Sequence, residues 1–215
     1  MFSTIAHSIF GGIWSRLTQH DFTGTNPVAN APHISKPEIE VRKVFVLRLG
    51  HRIDRDNRAT THVFLTARAL GGFGVFYSGQ RDESLERRMQ EIVNTWGGSF
   101  EVRYEKNWKN TVRDWKKKGV ICHLTMYGIN IDDCLGKIPK NRDILVVVGS
   151  EKVPSDIFQL ADFNIAVGNQ PHSEIAALAI FLDRFFQGEG LKRRFENAKM
   201  RIEPQQSGKK VITQP

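Results

Sequence analysis

The sequence predicts an α/β protein with a mostly parallel sheet flanked by helices. Three observations carry that expectation. Short apolar runs alternate with helix-patterned segments from Glu38 onward. Residues 144–148 form an unbroken Val- and Ile-rich run, as expected of a central parallel strand covered on both faces. Glycines also stand where the chain leaves each of the last three strands, at Gly128, Gly149 and Gly168. A glycine there lets the backbone turn sharply and approach a ligand.

Taken in order, residues 44–49 read as the first strand. Residues 60–70 follow as a helix, stopped by Gly71-Gly72. Residues 74–77 form a second strand and 84–95 a second helix, with Leu85, Met89, Ile92 and Val93 inward. Residues 100–104 give a third strand. Asn107 caps a charged helix whose apolar side is Trp108, Val112 and Trp115. Strands follow at 120–125 and 144–148. The last strand, 165–167, leads through a polar loop to a helix over 174–186. That helix sets Ile175, Leu178, Ile180, Leu182 and Phe185 all round its circumference, so it needs cover on every side. Its own sheet supplies one side, and a second subunit is expected on the other. A basic segment, 191–201, and a polar tail complete the chain.

The 215 residues fit one domain with an appended extension. Residues 1–37 turn Gly-, Asn-, Thr- and Pro-rich after a short apolar start, and read as a disordered or loosely docked extension or a misplaced start codon. Their uncharged beginning argues against a secretory signal. No apolar run approaches the roughly 20 residues of a membrane span. A net charge of +8 suits a polyanionic partner, nucleic acid first, although a merely basic protein reads the same way. Cys122 and Cys134 stand without a CxxC pattern, as in a reduced, cytoplasmic protein. The seven scattered histidines show no metal-ligand spacing, so no metal is expected.

Chemistry is expected at the C-terminal ends of the last strands, where open α/β sheets bind ligands. Three loops converge there: 124–128, 149–154 and 167–174. There is no GxGxxG after the first strand, no GxxxxGK[ST] and no serine elbow, which disfavours a nicotinamide dehydrogenase or a P-loop NTPase. Arg48, His51, Arg52, Arg55 and Arg58 form a cationic cluster after the first strand. His62 reads as a buried, hydrogen-bonded histidine. Arg87-Arg88, Lys116-Lys-Lys118 and Lys192-Arg-Arg194 read either as solvated helix faces or as extensions of the basic surface.

Leu47-Arg-Leu-Gly-His-Arg52, Thr60-Thr-His62, Leu65-Thr-Ala-Arg-Ala-Leu-Gly71, His123-Leu-Thr-Met-Tyr-Gly128, Val148-Gly-Ser-Glu-Lys-Val-Pro154 and Ala166-Val-Gly-Asn-Gln-Pro-His-Ser-Glu174 carry a resemblance. Together they resemble the archaeal tRNA (cytidine-56) 2′-O-methyltransferases of the SPOUT superfamily. The resemblance covers residues 38–215 in order, and residues 1–37 have no counterpart in it. It implies a C-terminal trefoil knot, a homodimer, a tRNA substrate and the cofactor S-adenosyl-L-methionine. It further implies cofactor contacts at Leu124; at Gly149, Ser150, Glu151, Lys152 and Val153; and at Val167, Gly168, Asn169, Gln170, Pro171, His172, Ser173 and Glu174. An arginine of the N-terminal cluster is implied in catalysis: Arg52 first, with Arg48 and Arg55 beside it. His51, Arg58 and Arg68 are expected to hold RNA. A different target nucleotide and a non-catalytic RNA-binding module both stay open.

Overall fold

The computed structural model describes residues 43–149 and 153–214. The proposed extension, residues 1–37, lies outside the described residues. Strand β1 (Val44–His51) leads into helix α1 (Ile53–Ala69), then β2 (Gly74–Gly79), α2 (Glu83–Trp96), β3 (Glu101–Tyr104) and α3 (Trp108–Lys118). The chain continues through β4 (Gly119–Asn130), α4 (Ile131–Cys134), β5 (Asp143–Val148), α5 (Asp156–Leu160), β6 (Phe163–Ala166) and α6 (Glu174–Phe185). It ends in a hairpin of β7 (Met200–Ile202) and β8 (Val211–Thr213).

The first six strands form one sheet in the order β3-β2-β1-β5-β4-β6, every pair parallel. Alternation along each strand divides the core between the two faces. Val44, Val46, Val75, Cys122, Val146 and Ile165 pack with Phe64, Leu85, Leu178 and Phe181 from α1, α2 and α6. Leu47, Phe76, Ile121, Leu145 and Val147 pack with Val112, Trp115 and Ile157 from α3 and α5. Both faces are covered, so the strands carry the near-continuous apolar runs that sequence reading detected.

Neighbours β1 and β5 are where the connections part company. From β1 the chain moves outward to β2 on one side, while from β5 it crosses β4 to reach β6 on the other. Such a reversal opens a crevice at the C-terminal ends of the strands.

Three elements differ from expectation. Helix α1 begins at Ile53, not at residue 60. Residues 53–59 show little apolar periodicity, but Asp54 and Asp56 favour the helix N-terminus, and the Asp56 carboxylate accepts the Arg52 N–H at 3.2 Å. Strand β4 runs on to Asn130 because it pairs with β6 twice, at Leu124 with Ile165 and again at Ile129 with Ile165, with an irregularity between. The polar tail carries the β7–β8 hairpin. As expected, Asn107 caps α3, its side chain accepting the Asn110 N–H, and Gly72 closes α1 by donating to the Ala67 carbonyl at 2.7 Å.

Candidate active site

The end of β4, the turn after β5 and the segment between β6 and α6 enclose a cavity of about 310 Å³. That volume lies at the lower end of the range for small-molecule sites, about 300–1,000 Å³. Seven of the residues expected to hold cofactor line it: Leu124, Gly149, Val153, Val167, Pro171, His172 and Glu174. Ser150, Glu151 and Lys152 lie outside the described residues. Gly168, Asn169, Gln170 and Ser173 are not among the lining residues, yet two of them build the wall. Asn169 Nδ2 donates to the carbonyls of Met126 at 2.8 Å and Gly128 at 3.1 Å, tying the last loop to the β4 extension. Ser173 caps α6, its Oγ accepting from the Ile175 N–H at 3.2 Å. Gly168 takes φ +86° and its α-carbon faces open space. At Gly149 a Cβ would meet Val153 Cγ2 at 1.9 Å, so only glycine lets Val153 close over the turn.

The arginine cluster divides by burial. Arg48 is 1% exposed and pairs with Glu174 at 3.2 Å, joining β1 to the first residue of α6. Burial lowers its pKa, and the Glu174 and Asp56 carboxylates oppose that shift. Arg52 binds Asp56 with both ends of its fork, Nε to Oδ2 at 2.7 Å and Nη2 to Oδ1 at 3.1 Å. Those hydrogen bonds hold the Asp56 carboxyl below the usual carboxylate range. Arg55 and Arg58 are exposed on the first turns of α1. His51 is fully buried: its Nδ1 meets Thr60 Oγ1 at 2.9 Å, and its Nε2 lies 3.6 Å from Asp82. Desolvation lowers its pKa against the pull of Asp82. Arg68 sits at the opposite end of α1, buried, donating to the Gly97 carbonyl at 2.7 Å. Burial keeps His51 and Arg68 from presenting themselves to an RNA backbone; both brace the fold instead. His62, expected inside, is exposed. It occupies a helix position facing away from the sheet, between Thr61 and the buried Val63.

The family model described as tRNA ribose 2′-O-methyltransferase, aTrm56, matches residues 96–212. A Thermococcus kodakarensis protein named tRNA (cytidine(56)-2′-O)-methyltransferase is 51% identical over 175 residues, covering 80% of this chain and 97% of that one. The chain belongs to the tRNA ribose 2′-O-methyltransferase family. Solved structures agree at the level of fold. An RNA 2′-O ribose methyltransferase superposes with TM-score 0.53 at 12% identity, over 74% of this chain and 61% of that one. The methyltransferase AviRb of Streptomyces viridochromogenes, solved in complex with AdoMet, gives 0.50 at 16% identity, over 69% and 60%.

The cavity of this family member also has walls that sequence reading passed over. His123, Thr125, Met126, Tyr127 and Ala177 complete the lining. His123 is fully buried, with Nδ1 2.8 Å from Asn164 Oδ1. Asn164 Nδ2 donates to the Phe158 carbonyl at 2.8 Å, which leaves Oδ1 as the acceptor and places the proton on His123 Nδ1. Desolvation lowers the His123 pKa, which favours the neutral ring. The alternation of β4 was the available signal: His123 follows Ile121 onto the α5 face, one step before the rim.

The cavity fits S-adenosyl-L-methionine. Leu124, Val153 and Val167 offer apolar wall to a flat ring, and the bare backbone at Gly149 offers hydrogen-bonding groups. No arginine or lysine is among the described lining residues, and Glu174, paired with Arg48, contributes a carboxylate. A cation therefore meets no like charge from these groups.

Proposed function

We propose that the protein transfers a methyl group from S-adenosyl-L-methionine to the ribose 2′-hydroxyl of cytidine-56 in the tRNA T-loop. One observation carries this reading: the C-terminal half of β4, the turn after β5 and the loop after β6 enclose a cavity without arginine or lysine among its described lining, and Glu174 in its wall is tied by Arg48 to the strand that leads into the arginine cluster. When bound, the cofactor supplies a methyl group activated on a sulfonium centre. Leu124, Val153 and the 167–174 loop hold and orient it, and Glu174 balances its charge. The 2′-hydroxyl is a weak acid whose proton passes to solvent water as the methyl arrives, and Arg52 and Arg55 stabilise the negative charge that grows on its oxygen. Arg52 is preset for this by its bidentate hold on Asp56. Arg48 acts behind them as the clamp on Glu174, and Arg58 grips phosphate. The reaction needs no metal on this reading, because the sulfonium centre departs as a neutral thioether.

Three finer features belong to the same proposal. The segment leading to α6 threads through a loop as a trefoil knot, a reading supported by the double pairing of β6 with β4. Two subunits meet over α6, which leaves Ile180 42% exposed on a helix with little polar face. Catalysis resides in residues 38–215 and takes place in the cytoplasm, where tRNA is found. Among the described residues no helix is long and apolar enough to cross a membrane.

The test is methylation of a tRNA transcript with labelled cofactor, followed by mass mapping of the product. A single 2′-O-methyl at cytidine-56 is expected, and its loss when that cytidine is deoxy. Arg52→Ala and Arg55→Ala should each lower kcat by about 10²-fold or more while cofactor affinity holds. Methylation elsewhere would redirect the substrate assignment. Absence of cofactor binding by calorimetry would leave a non-catalytic RNA-binding module.

A further inference from the structure

The C-terminal hairpin does not close tightly on the helices beneath it. Between the 193–204 segment and the ends of α1 and α2 lies a second cavity, of about 880 Å³. Its walls are apolar, with Leu65, Ile92, Trp96 and Met200 among them. Its rim is cationic. Arg193, Arg194 and Arg201 line it and are exposed, and no ion pair engages any of them among the described residues. The one acid lining it, Glu203, is neutralised by Lys210 at 2.9 Å. Beneath the rim, Arg68 stacks 4.1 Å from the Phe195 ring and fixes that segment against α1.

We propose that this groove is a second contact surface for the tRNA. Its arginines hold a stretch of sugar–phosphate backbone, and Trp96 with its apolar neighbours takes an unstacked base or ribose face. Guanidinium forks suit phosphate, and aromatic and aliphatic walls suit the planar faces between phosphates. A second copy of this chain fits poorly, since a two-fold contact would set the same arginines against each other. The inference rests on tRNA being the substrate, but it concerns a separate place. Helix α1 has 17 residues, and at about 1.5 Å per residue the groove lies about 25 Å from the Arg52 end. A body the size of tRNA spans that distance with its T-loop at the rim, so the groove engages the folded molecule beyond the target arm.

The triple variant Arg193→Ala, Arg194→Ala, Arg201→Ala tests this in the full-length chain. Fluorescence anisotropy across a salt series would measure binding to whole tRNA and to an isolated T-arm stem-loop, with cofactor calorimetry beside it. Expected are unchanged cofactor and stem-loop affinities and whole-tRNA binding weakened about tenfold or more. The log–log salt slope should also be shallower by about 1 for each phosphate that no arginine now neutralises. The corresponding triple lysine variant should restore most of the slope. Undiminished affinity and slope for whole tRNA in the alanine variant would overturn the proposal. So would equal weakening on stem-loop and tRNA, or a changed sedimentation coefficient with tRNA binding intact. Wild-type protein that shows this binding pattern without transferring methyl would refute the catalytic reading and leave the groove standing.

Discussion

Arg48 and Glu174 are unequal partners. Arg48 is 1% exposed and Glu174 30%, so Glu174 can fall back on water and Arg48 cannot. Removing one member of a buried pair strands the other. Glu174→Gln is therefore expected to cost about 2 kcal/mol, reduced from a fully buried case by Glu174's access to solvent. Arg48→Met should cost less, and urea unfolding of the two variants reads the difference. A larger loss for Arg48→Met would contradict the asymmetry. His51 gives a second expectation at this scale. Its folded pKa lies below the ordinary 6.5, held there by burial although Asp82 and Asp56 pull upward; Arg48 pushes the same way as burial. Between the folded value and 6.5 the unfolded chain binds a proton that the folded chain refuses, so stability rises with pH in that window. His51 thus contributes fully above pH 6.5, and its contribution is lost as pH falls toward the folded value. His123 acts with the same sign. Thermal midpoints between about pH 7.5 and 5 should fall for the wild type and fall less steeply for His51→Gln.

At the scale of elements, the turn after β5 is the most constrained position. Gly149→Ala forces its Cβ against Val153, a residue that lines the cavity, so the wall there must shift. Cofactor affinity should drop about tenfold or more, equivalent to about 1.4 kcal/mol, while the circular dichroism spectrum is kept. An unaffected dissociation constant would show that Val153 does not close the site. This turn and the loop before α6 were legible because a glycine marks where the chain leaves each strand; the Asn169 tie and the Ser173 cap show only in the structure. The central strands were legible because two covered faces leave no polar alternation. The start of α1 was not: Asp54 and Asp56 hide the helical period, and the Arg52–Asp56 fork that stabilises the turn shows only in three dimensions. His123 was hidden for a similar reason, since its partner Asn164 stands 41 residues away. The hairpin escaped because β7 and β8 are three residues each and mostly exposed.

For the whole molecule, the six-stranded sheet runs from Val44 to Ala166. The relative from Thermococcus kodakarensis matches over 97% of its own length, yet covers 80% of this chain. Removing residues 1–37 is therefore expected to leave the melting midpoint and the cofactor dissociation constant unchanged; calorimetry on the truncated protein checks both. A lower midpoint or a higher dissociation constant would place part of the working unit in that extension. The Arg48–Glu174 clamp sets a condition on how such a protein matures. One half of the clamp belongs to the first strand described and the other to the last long helix, so a chain still emerging from the ribosome holds an open cleft. The wall of the cavity is complete only once α6, late in the chain, has been made.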